Sequence, residues 1–571
     1  MLWRMSVPEN DVDGPQGGQD ATEQETVASS DMEASVAPGA SSSAARGTAH
    51  AMGALLKRKL TSGTLRALAM LFFLLIVTKR AWVSDDAFIS MRYVENFISG
   101  FGLTYNVGER VQGYTNPLWV LLLSAVRQVI DEPYVACVVL SIVTAFASAW
   151  VFGYRLLTNA AVAAFGIATL TFTQAFVDFS TSGLENPLGH LLLVSFLAIY
   201  FREQWTSRQV QLMWLLAGLM LVHRLDAILL IAPALLHLTL SQGIRQSLRP
   251  ALIGLSPFIA WELFATLYYG LPVPNTAIAK LNVDIPRREL VGQGFVYLFA
   301  SLEQDPLTIL LIVAGLYFGF GSKQWTMRAA ALGVVLNLAY VVWVAGDFML
   351  GRFLSVALFS AVCIIAVAMS QAYSRVSVIT AAALVAFVAV LSPHNPLTEN
   401  PGPPGIPPSG VANERDFYRG QTGLLKNLRT FTYQKHSWYQ TGVQMAKANK
   451  KADTHCNAGL AGMGAGPTVH MVDIAGLTDA FLARFTFEYK DNWRTAHHGR
   501  DLPQGYLETL RTGENHIKDP KLHEFYDKVK LVISGPIFDW TRLRTALALD
   551  LGEYDYLLAK DESDLAPALK K

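Results

Sequence analysis

The sequence predicts an α-helical polytopic membrane protein with a C-terminal extracytoplasmic α/β domain. Three observations lead to this fold class. The 571-residue chain is 52% hydrophobic and only 16% charged, which is more apolar than a globular core requires. Apolar runs of helical length recur between residues 62 and 392. The polar stretch that follows to residue 571 is long enough to build a core of its own.

The interpretation divides the chain into three parts. Residues 1–55 are rich in Ala, Ser, Gly, Glu and Asp and lack apolar periodicity, so we expect a disordered cytoplasmic tail. Residues 56–392 form the transmembrane domain, and residues 393–571 form the extracytoplasmic domain. The basic cluster 57–59 precedes the first apolar run, without a visible cleavable signal peptide. Positive charge of this kind remains inside, so the first helix should run outward through the plasma (inner) membrane.

Twelve apolar runs are candidate membrane spans. Positive charge in the loops between them places the chain's end outside and requires an odd number of crossings. The run 117–131 is short for a hydrocarbon core about 30 Å thick, so about eleven transmembrane helices remain. A single broken helix over 209–240 is the rival interpretation. The other candidate runs are roughly 62–83, 134–157, 160–180, 186–202, 209–222, 224–240, 249–270, 303–321, 326–346, 352–371 and 375–392.

Two adjacent carboxylates, Asp85 and Asp86, directly follow the first apolar run. Ionisable residues at a membrane boundary mark functional sites more often than scaffolds; a chance acidic pair in a solvated loop is the alternative. Apolar residues at helical spacing from 87 to 98 predict a short helix lying on the membrane surface. Such carboxylates could supply a general base for an acceptor hydroxyl or coordinate a divalent cation.

Four more polar segments fall on the same predicted outer face. They contain Glu185, the run 223–226, the loop around Asn275 and Lys280, and the run 346–352. Together with the loop 84–116, they form a pattern expected of a site that lines a cavity.

Arg352 suits a phosphate held at the lipid boundary, because its planar guanidinium can grip two oxygens. The alternative is an interface arginine that snorkels and pairs with Asp347. The flanking Gly346 and Gly351 would let backbone and ligand approach closely.

The remaining polar residues of these segments have two interpretations each. His223, Arg224 and Asp226 interrupt an apolar stretch, where a structural Arg224–Asp226 pair is as plausible as phosphate or sugar binding. Glu185 precedes a proline and could be a helix-start acid that interacts with the helix dipole.

Several function classes are excluded or disfavoured. A net charge of +1 gives no nucleic-acid footprint. The glycine-rich run 462–466 lacks the downstream acid of a dinucleotide fingerprint. No disulfide framework or metal site can be built from three cysteines, one of them Cys456 alone in the polar region, and the histidine spacing matches no zinc signature.

The C-terminal region should contain regular structure. Residues 467–479 read as a buried strand that ends in a turn, and residues 480–484 as the start of a helix. The Pro- and Gly-rich residues 392–410 should be an extended spacer.

The runs 85–93 and 102–119 resemble the first outer loop of the AftB-type arabinofuranosyltransferases. The run 346–352 is similar to a second motif of that family, and 467–506 looks like its tail. The resemblance implies a GT-C-like fold and a pentosyltransferase of cell wall biogenesis. It further implies transfer of an arabinofuranosyl residue from a polyprenyl-phosphate donor to a cell-envelope glycan on the outer face of the membrane.

The resemblance also implies residue roles. Either Asp85 or Asp86 is the candidate catalytic carboxylate, and Arg352 with Arg224 would contact the donor phosphate. The full set of candidates is Asp85 and Asp86 for catalysis, Arg92, Glu185, His223, Arg224, Asp347 and Arg352 for the donor, and Glu109, Tyr114 and Asn116 for the acceptor.

Two alternatives stay open. A relative that transfers mannose or another hexose could keep all of these residues. A non-enzymatic transporter or motility-associated membrane protein is the second alternative, although no inverted hydropathy repeat is visible. The expected partners are the lipid-linked donor, an envelope polysaccharide and membrane lipids, without nucleic acid. No cofactor is assigned, and a divalent cation remains open.

Overall fold

The computed structural model describes residues 62–202, 204–398 and 405–558, which are mainly α-helical as the apolar periodicity predicts. The predicted disordered tail 1–55 and the basic cluster 57–59 lie outside these ranges. The helices of the first part are α1 (Ser62–Arg80), α2 (Asp85–Ile98), α3 (Pro117–Arg127), α4 (Pro133–Val151), α5 (Ala160–Phe172), α6 (Gln174–Asp178), α7 (Asn186–Tyr200), α8 (Ser207–His223), α9 (Ala227–Gln242), α10 (Ile244–Gly254), α11 (Ser256–Tyr269), α12 (Asn275–Leu281), α13 (Arg287–Gln304), α14 (Pro306–Gly321), α15 (Trp325–Trp343), α16 (Ser355–Gln371) and α17 (Arg375–Leu391).

The C-terminal region continues with shorter elements. They are α18 (Glu414–Thr422), α19 (Leu424–Asn427), α20 (Ser437–Lys447), β1 (Ala452–His455), α21 (Ala458–Ala465), β2 (His470–Asp473), α22 (Tyr506–Thr512), α23 (Pro520–Ser534) and α24 (Trp540–Asp550).

Among the described residues, two helices are long and apolar enough to cross a membrane alone, Pro133–Leu156 and Trp325–Trp343. Counting each sharply bent helix pair as one span raises the number to five. Six further apolar helices have 10–17 residues. The predicted eleven crossings therefore stay a prediction. The rival single broken helix over 209–240 corresponds to α8 and α9, which are separated by residues 224–226, and helix α13 was not expected from the hydropathy pattern.

Helix α2 confirms the expected helix after the first apolar run. Its axis turns by 89° from α1, as suits a helix that lies along the membrane surface rather than across it. The apolar stripe at Ala87, Phe88, Met91 and Val94 is buried against the helical core, so this face fixes the helix and the position of the carboxylates at its start.

The C-terminal region contains one small parallel sheet. Strand β2 falls within the expected strand run and pairs with β1 in the register Ala452↔His470 to His455↔Asp473. The helix expected from residue 480 is wrong, because only a 3₁₀ turn, Leu482–Arg484, forms there. The chain leaves that turn in an extended conformation, since Phe487 exchanges backbone hydrogen bonds with residues 282 and 284.

Two large apolar clusters, and a small one made of Ile285, Leu290, Ala345 and Phe487, hold these parts together. The larger runs through the helices and includes Tyr418 and Leu460 from the C-terminal region. The second is built mainly around Phe481, Tyr506 and Phe525. The C-terminal region therefore has an apolar cluster of its own and also packs into the helical part.

Candidate active site

The two aspartates at the start of α2 have different surroundings. The buried carboxylate of Asp85 accepts hydrogen bonds from the backbone N–H groups of Gly459 (3.1 Å) and Leu460 (2.7 Å). It therefore caps the first turn of α21, where N–H groups lack partners within the helix. Burial raises the pKa of Asp85 to about 7, although these two hydrogen bonds lower it.

The carboxylate of Asp86 lies beside a group of charged side chains. Its side chain is 32% exposed, and its Oδ2 lies 3.8 Å from Nη1 of Arg352. An accessible carboxylate beside a cation is open to a ligand. The structure therefore places Asp86, and not Asp85, at the candidate site.

Arg352 is the centre of this group, which we call the arginine cluster: Asp86, Glu185, Arg224, Asp226, Asp347 and Arg352. Its guanidinium lies 3.5 Å from Oδ2 of Asp347 and 3.5 Å from Oε1 of Glu185. Its Nε has no hydrogen-bond partner among the described residues. Burial raises the pKa of Asp347, against the lowering effect of Arg352. The guanidinium is thus surrounded by acids but held loosely by each of them.

Arg224 is held tightly in comparison. It donates to Glu185 at 2.8 Å and to both carboxylate oxygens of Asp226 at 2.8 and 3.0 Å. Asn116 donates to the other oxygen of Glu185 at 2.9 Å. Burial alone would raise the pKa of Glu185, but Arg352 and Arg224 bring it below its usual range. The expected structural Arg224–Asp226 pair is therefore present, and it belongs to the same cluster as Arg352.

A cavity of about 40 Å³ opens beside these arginines. Three buried polar atoms on its walls, Asn186 Oδ1, His223 Nδ1 and Asn337 Oδ1, have no hydrogen-bond partner among the described residues. Unpaired buried polar atoms are costly, and a cavity of this size can hold ordered water or part of a polar ligand. Phe353 and the guanidinium of Arg224, whose carbon lies 5.4 Å from the Phe353 ring centroid, complete the lining.

Three charged side chains from other segments, Lys280, Glu414 and Arg494, lie near the cluster. Lys280 is exposed, yet desolvation lowers its pKa while Asp347 and Asp86 act in the opposite direction. Burial raises the pKa of Glu414 to about 8, even though Arg494 lies 3.5 Å away and lowers it. These residues add both charge signs to the wall of the site.

Besides Asp85, three of the predicted residues lie apart from the cluster: Arg92, Tyr114 and Glu109. Arg92 is buried and donates to the backbone carbonyls of Tyr105, Gly462 and Val469 at 2.6–2.9 Å. Tyr114 is buried with its hydroxyl 2.8 Å from that of Tyr269.

Glu109 lies elsewhere again, 3.7 Å from Nε2 of His470. Burial raises the pKa of Glu109 to about 7. Arg92 ties α2 to the C-terminal region, and neither Glu109 nor Tyr114 has a charged partner in the arginine cluster.

The two glycines expected to admit a ligand have another role. Gly346 and Gly351 both have positive φ angles, 68° and 79°, which favour glycine. A Cβ on Gly346 would lie 2.5 Å from the Cβ of Tyr297, and one on Gly351 would lie 2.9 Å from that of Ala175. The two glycines therefore form a tight turn against neighbouring chain and so position Asp347 and Arg352, while close approach of a ligand at these glycines stays a prediction.

Sequence reasoning missed Glu414, Arg494 and Asn337. An asparagine within an apolar run is a signal that could have identified Asn337, whereas nothing local singles out Glu414 or Arg494. Within residues 62–202, 204–398 and 405–558, no group of three or more His, Cys, Asp or Glu side chains is arranged to hold a metal ion.

Comparison with known proteins confirms the resemblance that the motifs indicate. The chain is 26% identical over 337 residues to the terminal β-(1→2)-arabinofuranosyltransferase of Corynebacterium glutamicum, covering 49% of this chain and 47% of that protein. It is 27% identical over 330 residues to the Mycobacterium tuberculosis protein of the same name, covering 49% and 51%. The chain thus spans about half the length of the curated relatives it matches. No family model matches.

Solved structures that are similar to this chain include two of ArnT from Cupriavidus metallidurans. The undecaprenyl phosphate complex has a TM-score of 0.42 and 15% identity, over 73% of this chain and 76% of ArnT. The apo form has a TM-score of 0.43 and 14% identity, over 79% and 78%.

Proposed function

We propose that this chain is a membrane glycosyltransferase that moves an arabinofuranosyl residue from a polyprenyl-phosphate donor to a hydroxyl of a cell-envelope glycan. The observation that carries the proposal is the 3.8 Å approach of Asp86 to Arg352, whose side chain also lines a cavity. A carboxylate that can take a proton and a cation that can hold a phosphate are the two groups this transfer needs. The names of the curated relatives support the choice of sugar.

Arg352 is the donor-phosphate residue in this proposal. Its ion-pair distances of 3.5–3.8 Å and its unpartnered Nε leave hydrogen-bonding capacity for a ligand. Arg224 has less capacity, because Glu185 and Asp226 already occupy it at 2.8–3.0 Å. Lys280, exposed on the same wall, is the second candidate for the phosphate. Arg224 then acts as a positioning residue that orients Glu185 against Arg352.

Asp86 is the general base. The acceptor hydroxyl oxygen forms a bond to the anomeric carbon as the bond from that carbon to the phosphate oxygen breaks. The bonding pair leaves with the polyprenyl phosphate, where Arg352 stabilises the added negative charge. The hydroxyl proton goes to Asp86. Asp85 is a positioning residue, because its cap on α21 fixes the start of the helix that carries Asp86.

The site lies on the outer face of the membrane in this proposal, with residues 393–571 on the same side. A lipid-linked donor can reach that face by diffusing in the bilayer. Cys456 is exposed, whereas Cys137 and Cys363 are buried, so an impermeant thiol reagent reports on one position. Labelling in intact cells is the expected result, and labelling only after permeabilisation would overturn this placement.

The function is tested with purified protein and a panel of synthetic polyprenyl-phosphoryl sugars. Polyprenyl-phosphoryl-arabinofuranose with an arabinan acceptor should give product, and the mannosyl and other hexosyl donors should give little. Turnover with a hexosyl donor alone would identify a transferase of another sugar. If no donor is turned over while the protein binds none of them, the transporter or motility-associated alternative is favoured.

A further inference from the structure

We propose that α24 and the turn before it lie in the outer leaflet of the bilayer and anchor the C-terminal region to the membrane. The most exposed aromatic side chains of the described chain are in this segment: Phe538 is 82% exposed and Trp540 is 76% exposed. Burying a large aromatic ring is strongly favourable. Rings left this open on a folded surface indicate a surface that another phase or partner covers.

The exposed residues of α24 follow a helical stripe. Trp540, Leu547 and the adjoining Leu551 are exposed at spacings of seven and four residues, with the exposed Arg544 on the same face. The opposite face, which includes Ala546 and Leu549, is buried in the C-terminal apolar cluster. A helix with a second, outward apolar stripe and a basic residue in it is typical of segments that lie in a membrane interface.

The contacts between α24 and the end of α11 indicate that the bilayer covers the exposed face of α24. The fully buried Arg542 donates to the carbonyl oxygens of Leu267 and Tyr268, both at 2.8 Å. These carbonyls end α11, which completes a run of apolar helix that we predict to cross the membrane outward. Cationic donors at the end of a helix satisfy carbonyls that lack partners within it. Arg542 therefore fastens the first turn of α24 to the outer end of a predicted span.

The exposed face of α11 is itself apolar. Ile259, Leu263, Phe264 and Leu267 are exposed along one side of it, as expected for a helix that faces lipid. The aromatic turn at Phe538 is thus continuous with a lipid-facing surface. Aromatic residues concentrate at the level where hydrocarbon meets headgroups, which matches the end of α11.

A second exposed apolar surface, at α19, supports the same position of the C-terminal region at the membrane interface. Leu425 and Leu428 are exposed on α19 and just after it, beside the basic Lys426 and Arg429. The backbone N–H of Leu424 donates to the carbonyl of Ala81, which directly follows α1. The C-terminal region therefore presents apolar residues at the outer ends of two separate predicted spans, as a domain resting on a membrane requires.

The test is depth-dependent quenching in full-length protein reconstituted into vesicles of neutral and anionic phospholipid. Phe538→Cys, Trp540→Cys and Leu547→Cys are made separately in a Cys456→Ser background and labelled with an environment-sensitive fluorophore. Glu524→Cys is the matched control, since its side chain is 52% exposed on the charged face of α23. Vesicles contain lipids that carry a spin label near the headgroup.

The expected result is at least about twofold quenching at positions 538, 540 and 547, with a blue-shifted emission, and little change at 524. Equal quenching at all four positions, or water-like emission at all of them, would overturn the proposal. A blue shift without quenching by spin-labelled lipid would also overturn it and indicate a protein partner. None of these readouts depends on sugar transfer, so the result stands apart from the proposed enzymatic activity.

Discussion

Two sets of charged residues, Asp85 with Arg92 and Asp86 with Arg352, show how identical residue types can have different roles. Asp85 and Arg92 form hydrogen bonds with the backbone of the C-terminal region. Asp86, whose side chain is 32% exposed, instead lies 3.8 Å from the buried Arg352, which has long distances to all its acidic partners. The first pair holds two parts of the fold together, while the second leaves charge available to a ligand. Charged residues at a membrane boundary therefore identify the region of a site. Those whose hydrogen bonds are all made within the fold are structural, and those with hydrogen-bonding capacity left are the candidates for binding and catalysis.

The largest expected effect comes from Asp86→Asn. Removing a general base typically lowers the rate by about 10²–10⁴-fold, and the substitution preserves volume at a partly exposed position. We expect turnover to fall by that factor in the donor assay, with an unaltered melting temperature. Asp85→Asn is the matched comparison and should reduce stability more than the catalytic rate constant. Near wild-type turnover in Asp86→Asn would refute the assignment of the base.

Gly459→Ala tests the structural side of the comparison. Its Cβ would overlap the backbone oxygen of Asp85 and lie 2.8 Å from the carboxyl carbon, so α21 must move away from α2. Overpacking of this kind costs about 1–3 kcal/mol, and we expect a lower melting temperature together with lost activity. Gly420→Ala is the control, because nothing lies within 4 Å of its Cβ. Equal stability of the two variants would contradict the described packing.

Arg352→Lys should act on donor binding. Lysine keeps the charge but loses the planar fork, and we expect KM for the donor to rise about tenfold, which corresponds to about 1.4 kcal/mol. Arg92→Lys should lower stability and leave KM for the donor unchanged, because Arg92 donates to backbone carbonyls and to the side chain of Asn106 within the packed interface, away from the arginine cluster. An unchanged KM in Arg352→Lys would move the phosphate to Arg224 or Lys280.

The smallest effect is the pH dependence of stability from Asp85. Its pKa rises from 3.8 to about 7 on folding, so the folded state binds more protons than the unfolded state between these values. The free energy of unfolding should therefore fall as pH rises from about 4 to 7. The melting temperature of the parent protein minus that of Asp85→Asn should decrease across this range in detergent. A difference that stays constant or increases would exclude a raised pKa.

The local pattern of apolar and polar residues was sufficient to predict much of the fold. The helix at α2 follows from apolar spacing, and the strand at β2 follows from a buried run bounded by a turn. The helix expected from residue 480 failed, because backbone pairing of Phe487 with residues 282 and 284 competes with helix formation. Such pairing joins residues about two hundred positions apart, and no window of sequence contains it.

For the candidate site, too, some features could be predicted from the sequence and others could not. The sequence by itself determined that Asp86, Glu185, Arg224 and Arg352 are charged residues at the ends of apolar runs, because charge there is costly and rarely accidental. Only the tertiary structure decided that Asp85 is a helix cap, that Glu414 joins the wall, and that Gly346 serves a turn. These outcomes depend on which backbone groups lie beside each side chain in the folded protein. The hydrophobic packing of segments that are far apart in the sequence determines those neighbours.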